Sequence, residues 1–204
     1  ESLAFLEIAH LGDRLPGPSR GAERNYSCMT VDELVAWRST WSFAVASDAY
    51  LLLWRVASMQ QEALDVVRGW GFVVKTDIVW IKRTLTGKRW FGMGRTLRAE
   101  HEVCLVASRG RPRPLNLSTR TTFEDTCLGH SRKPGAFYKL VETTFPAPRV
   151  ELFARWRRDG WLQFGNELPD AAPDIATVFG SPPPKNRTPS ESPAPSDETP
   201  ARAG

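Results

Sequence analysis

The chain has 204 residues, a hydrophobic share of 41% that includes eight tryptophans, and a formal net charge of +4. That is enough apolar material for one α/β domain with a full core, and no run of about 20 apolar residues is present to span a bilayer. Three cysteines and three histidines at scattered spacings argue against a disulfide framework and against a metal site. Thiols of this kind suit a reducing cytoplasm, and the start at Glu1 without a basic stretch suggests no signal peptide.

Residues 1–28 read poorly: Leu3, Phe5, Leu6 and Ile8 suit a short strand or a helix equally. Gly12 to Gly21 is a loop by composition. Thr30-Val31-Asp32-Glu33 is a capping box, with Met29 and Leu34 placed as a hydrophobic staple, and opens a helix to about Arg38. Ala49 to Val56 is a near-continuous apolar run, as in a strand covered on both faces. Met59 to Trp70 puts Ala63, Val66, Val67 and Trp70 on one helical face, with Gly71 where a left-handed cap belongs. Lys75 to Lys82 alternates as the next strand, so strand, helix and strand form a βαβ unit and imply a parallel sheet.

A long basic loop, Arg83–His101, precedes a buried strand from Glu102 to Ser108. A second long loop runs from Arg111 to Gly129. A helix over Pro134–Thr144 turns Phe137, Leu140 and Val141 inward. The strand Arg149–Ala154 follows, then a short one at Trp161–Phe164. From about Asp170 to 204 prolines and serines dominate and acids outnumber bases, the composition of a disordered tail. The body at 1–169 is therefore more basic than the whole, compatible with a polyanionic partner.

A buried strand that ends in the arginine burst Arg155-Trp156-Arg157-Arg158, with Asn166-Glu167 behind it, suits the floor of a ligand pocket. Ligands sit beyond the carboxyl ends of strands in open α/β sheets. Lys133 beside a helix start can hold a carboxylate or a phosphate. Asn166 and Glu167 can donate to and accept from sugar or base edges. Between Trp90 and His101, aromatics interleave with Arg95 and Arg98, a pattern that suits stacked bases and phosphates.

Four stretches, in order, resemble the MT-A70-like adenine-N6 methyltransferases. They are Gly92-Met93-Gly94-Arg95-Thr96-Leu97-Arg98 with the strand from Glu102, His130-Ser131-Arg132-Lys133-Pro134, Glu151-Leu152-Phe153-Ala154-Arg155, and Gly165-Asn166-Glu167-Leu168. Arg24-Asn25-Tyr26-Ser27-Cys28-Met29-Thr30 is similar to the segment leading into that family's first helix, so the resemblance covers about residues 12–168. It implies a Rossmann-like fold, a mostly parallel sheet flanked by helices whose N-terminal strand is incomplete or divergent. It also implies S-adenosylmethionine (SAM) as cofactor, held by Lys133, Arg155, Asn166 and Glu167, and a target base near Glu102. Arg95 and Arg98 would face the nucleic acid, DNA ahead of RNA, and a protein partner or a second copy is compatible.

One element departs from the pattern. The family's Asp-Pro-Pro-Trp motif is expected near Leu6-Glu7-Ile8-Ala9, and none of its four residues stands there. Impaired turnover is one expectation; a non-catalytic homologue that binds nucleic acid or a catalytic partner is the other.

Overall fold

The computed structural model describes residues 3–8, 30–41, 45–92, 94, 96–127, 133–165 and 168. The proposed tail and the residues Met29, Arg95, Asn166 and Glu167 lie outside them. Among those described, seven strands form one sheet: β1 (Leu3–Ile8), β2 (Val45–Arg55), β3 (Val73–Arg83), β4 (His101–Arg109), β5 (Thr122–Thr126), β6 (Arg149–Leu152) and β7 (Trp161–Phe164), in numbering that counts the described residues alone. Among the described residues three α-helices join them: α1 (Val31–Trp37), α2 (Gln60–Gly69) and α3 (Gly135–Thr144).

Across the sheet the order is β5-β3-β4-β2-β1-β6-β7. The pairings β1–β2, β1–β6, β6–β7 and β3–β5 are parallel, while β4 is antiparallel to both β2 and β3. The sheet is thus mixed, not simply parallel as the βαβ unit implied. Strands β2 and β3 point the same way, but β4 is threaded between them. The segment at 3–8, ambiguous by periodicity, is a strand, and its position between β2 and β6 puts it mid-sheet.

Local chemistry sets the elements. Thr30 Oγ1 accepts from the Glu33 amide at 3.2 Å, and the Glu33 carboxylate accepts from the Thr30 amide at 2.6 Å. A seven-residue helix is marginal by itself, and a cap of this kind contributes about 1 kcal/mol. Helix α2 buries Ala63, Val66 and Val67, spaced as one face. It ends as expected at Gly71, whose φ is +79°, with the Phe72 amide donating to Val67 O. The Trp70 indole donates to Leu34 O at 2.9 Å and so ties α2 to α1.

Two apolar layers flank the sheet. One packs α1 and α2 over Leu51, Leu53, Leu105 and Leu152. The other packs α3 over Leu52, Trp54, Ile78, Trp80 and Cys104 through Phe137 and Val141. Leu140, expected inward, is only partly buried at the margin of this layer. Each fully buried large apolar side chain contributes roughly 2–3 kcal/mol.

Three expectations need correcting. The loop after Arg111 contains β5, a polar edge strand with little alternation to reveal it. The strand from Arg149 stops at Leu152, because Phe153 takes a φ of +62°. Pro134 caps α3 from outside its first turn instead of opening it.

Candidate active site

The parallel strands deliver their carboxyl ends to one edge, and β4, running the other way, delivers its first residues there. Trp80 of β3 pairs with Glu102, and Trp54 of β2 pairs with Cys104. Side chains alternate along a strand, so Trp54, Trp80, Lys82 and Glu102 share the α3 face. Lys133 reaches the same place just before α3. The start of that helix is fixed by Asp125 of β5, whose carboxylate accepts from the Ala136 amide at 3.2 Å and whose carbonyl accepts from the Trp80 indole at 3.0 Å.

The result is a carboxylate held between two ammonium groups. Glu102 lies 2.7 Å from Lys133 Nζ and 2.5 Å from Lys82 Nζ. The Lys133 side chain is only 3% exposed, and its ammonium lies over the Trp54 ring, 4.1 Å from the centroid. Burial works to raise the Glu102 carboxyl, but the two lysines outweigh it and hold it at about 2 against an ordinary 4.5. Because this pKa is depressed, the stabilisation from ionised Glu102 is complete above about pH 4.5 and is lost as the pH falls towards 2. Glu102→Gln is therefore expected to flatten the acid limb of stability in that window, as read by urea midpoints. An unchanged limb would mean that other carboxylates govern it.

A second network lies beside the first. Glu151 of β6 is buried and accepts from the Tyr138 hydroxyl at 2.9 Å and from Gln163 Nε2 at 2.6 Å. Burial pushes its carboxyl up, with the Gln163 and Tyr138 hydrogen bonds opposing. Gln163 also donates to Trp156 O and accepts from the Arg158 amide, shaping the turn after β6. Within the arginine burst, Arg158 forks onto Glu142 at 2.5 and 2.8 Å. It is a structural tie and not a free ligand group.

Between the two networks opens a cleft of about 170 Å³, lined by Thr126, Lys133, Tyr138, Trp156, Arg157 and Arg158, with Pro134 and Gly135 at its base. Lys133 and Glu102, singled out separately as cofactor and target residues, are thus one ion pair, of which Lys133 lines the cleft. Arg155 is half-buried and outside the cleft lining, where Arg157 and Arg158 stand instead. Asn166 and Glu167 lie outside the described residues. A Cβ on Gly165 would come within 2.0 Å of Ala154 O, so the chain leaves β7 pressed against the residue before Arg155.

Arg98 sits on the ribbon between β3 and β4, where its guanidinium covers the ring of Phe91 at 4.8 Å and Phe91 itself is 74% exposed. The ribbon is held by the Trp90 amide to Lys82 O and the Gly92 amide to Ala99 O. Lys82, Trp54, Tyr138 and Gln163 were not singled out from sequence. The one available signal was an acid at the mouth of an otherwise apolar strand, which demands a cation nearby.

The family model described as MT-A70 matches residues 18–167. The chain belongs to the MT-A70 family. Among curated proteins, this MT-A70 chain is similar to the type II methyltransferase M.MunI of Mycoplasma sp., with 31% identity over 136 residues. The match takes in 65% of this chain and 56% of M.MunI, so it spans little more than half of that protein. Membership agrees with the Rossmann-like expectation, and Glu102, Lys133 and Gly165 stand at the edge of the mixed sheet where its parallel strands end. Among the described residues no helix is long and apolar enough to cross a membrane, and no group of three or more His, Cys, Asp or Glu side chains could hold a metal ion.

Proposed function

We propose that this chain is a SAM-dependent methyltransferase domain that acts on adenine N6 in nucleic acid, DNA in preference to RNA. The observation that carries the reading is the Lys82–Glu102–Lys133 clamp at the carboxyl edge, whose Lys133 also lines the aromatic and cationic cleft. The residues present fit the cofactor. Lys133 and Arg157 can take its carboxylate by charge-assisted hydrogen bonds, and the exposed ring of Trp156 favours a sulfonium over a neutral thioether. Asn166 and Glu167 are assigned to the ribose and adenine edges, and Arg155 to the ribose beside them.

When bound, the cofactor supplies an electrophilic methyl group. The chain's own part is positioning. Adenine's exocyclic amine is a poor nucleophile because its lone pair is delocalised into the ring, so the base must be extruded and oriented. Glu102, ionised at any working pH, can accept from that amine while Lys82 and Lys133 keep it in place. Arg95, Arg98 and the exposed Phe91 are assigned to the nucleic-acid strand, a guanidinium for phosphate and a ring for a base.

A specific observation favours a second reading, that of a binding subunit without turnover. Strand β1 ends at Ile8 in mid-sheet, and Ala9 follows where Asp-Pro-Pro-Trp is expected. Calorimetry with S-adenosylhomocysteine is expected to give saturable binding, with weak methyl transfer to adenine-containing DNA. No heat from folded protein sinks the cofactor assignment; robust transfer sinks the second reading.

A further inference from the structure

At the opposite edge of the sheet the loop after β4 roofs a second cleft, larger than the first, at about 470 Å³. Its floor is apolar: Tyr50, Ile78, Val106 and Phe145. Leu117 forms part of the roof and is 90% exposed, a large apolar side chain kept in water above an apolar floor. Glu102 and Ser108 sit at opposite ends of β4, so the two clefts are about 20 Å apart at the usual rise per strand residue.

The loop has no helix or strand from Gly110 to Thr121, yet it is firmly tied. The Tyr50 hydroxyl donates to Pro112 O at 3.0 Å, and Asp48 accepts from the Arg111 amide at 2.6 Å. The Leu115 amide donates to Thr144 O at 2.7 Å, and the Thr119 and Thr144 hydroxyls are 2.8 Å apart. Gly110, with φ of +63°, makes the turn into the loop where a Cβ would strike Asp48. Long irregular loops in compact domains are usually functional. This one is braced so that the space beneath it stays open.

Charge says what the space suits. From Val103 to Phe123 the sequence has four arginines and no acidic residue. Arg111, Arg120 and Lys75 stand at the cleft, all exposed, against the single carboxylate of Asp77. We propose that this cleft binds a nucleoside monophosphate unit. The base lies on the apolar floor under Leu117, and the phosphate is taken by the guanidiniums of Arg111 and Arg120. An apolar slot accepts the face of any base, guanidiniums match phosphate oxygens in paired hydrogen bonds, and the volume falls within the range of small-ligand pockets. Asp77 adds an acceptor for an exocyclic amine. This goes beyond the proposed methyl transfer and does not rest on it.

The unit has two possible sources, a free nucleotide or an unpaired residue of a strand. The test is calorimetry on the full chain with AMP, adenosine, inorganic phosphate and a single-stranded oligodeoxycytidylate, whose base carries an exocyclic amine. AMP is expected to bind at least tenfold more tightly than adenosine or phosphate. The exposed double substitution Arg111→Glu/Arg120→Glu is expected to weaken AMP at least tenfold at an unchanged unfolding midpoint, while Arg157→Ala at the other cleft leaves it unaltered. Thr121→Trp, which places an indole at the mouth, is expected to compete with AMP in the same way. Displacement of AMP by the oligonucleotide assigns the cleft to a strand; AMP binding without displacement assigns it to a free nucleotide. Absence of AMP binding by the folded protein, AMP binding that survives both Arg111→Glu/Arg120→Glu and Thr121→Trp, or displacement of AMP by poly-glutamate overturns the proposal.

Discussion

Lys133→Ala is expected to cost about 3 kcal/mol of folding stability, because it leaves one partner of a buried ion pair behind. Glu102 would keep Lys82 at 2.5 Å but lose the Lys133 ammonium at 2.7 Å, the more deeply buried of its two cations. The Glu102 carboxyl, held at about 2 by the pair of lysines, then titrates higher and the acid limb of stability shifts upward. A double-mutant cycle with Glu102→Gln isolates the coupling, expected at about 1–3 kcal/mol. Strict additivity would show that the two side chains do not interact. The same cycle separates structure from function. Adding Glu102→Gln to Lys133→Ala is expected to recover part of the stability, whereas affinity for S-adenosylhomocysteine stays at least tenfold down. Recovery of both together would make Lys133 structural alone.

Trp54→Ala is expected to be worse, at about 4 kcal/mol, in the range for emptying a large aromatic site in a core. Trp54 is 1% exposed, its ring centroid is 4.8 Å from that of Phe137, and Lys133 Nζ stands over its face. Alanine there opens a void at the junction of β2 and α3 and strips the ammonium of its aromatic floor. Trp54→Phe keeps a ring face and is expected to recover about half of the loss. Denaturant midpoints decide this, and an alanine variant within 1 kcal/mol of the parent would show that the layer under α3 is loosely packed.

What could be read ahead of the structure was what short range determines. The Thr30–Glu33 capping box closes within four residues, and Gly71 follows directly from the end of the α2 apolar face. The strand at Trp161–Phe164 has the bounds expected of it. Direction and neighbourhood were a different matter. Strand β4 is buried from Val103 to Ser108, so its run of apolar residues says nothing of which way it lies or between which strands. Strand β5 is held by its partner β3 and by Asp125, not by hydrophobic alternation. At the site, family motifs singled out Glu102 and Lys133 one at a time, yet the pairing joins residues 31 apart in sequence. Lys82 carries no local mark at all, and the arginine burst hid the fact that Arg158 is used up by Glu142.

The uniform burial of β4 has a further consequence. In a strand with one wet face, a slip of one residue turns every apolar side chain outward and is heavily penalised. A strand with six consecutive buried positions has no such safeguard, since a shifted copy would bury nearly the same carbon. Its alignment is secured at its tips: Glu102 between two lysines at one end, and Gly110 seated on Asp48 at the other. The carboxylate assigned to the target base is therefore also a locating pin for the centre of the sheet. Variants that remove it risk mixed registers as well as lost chemistry.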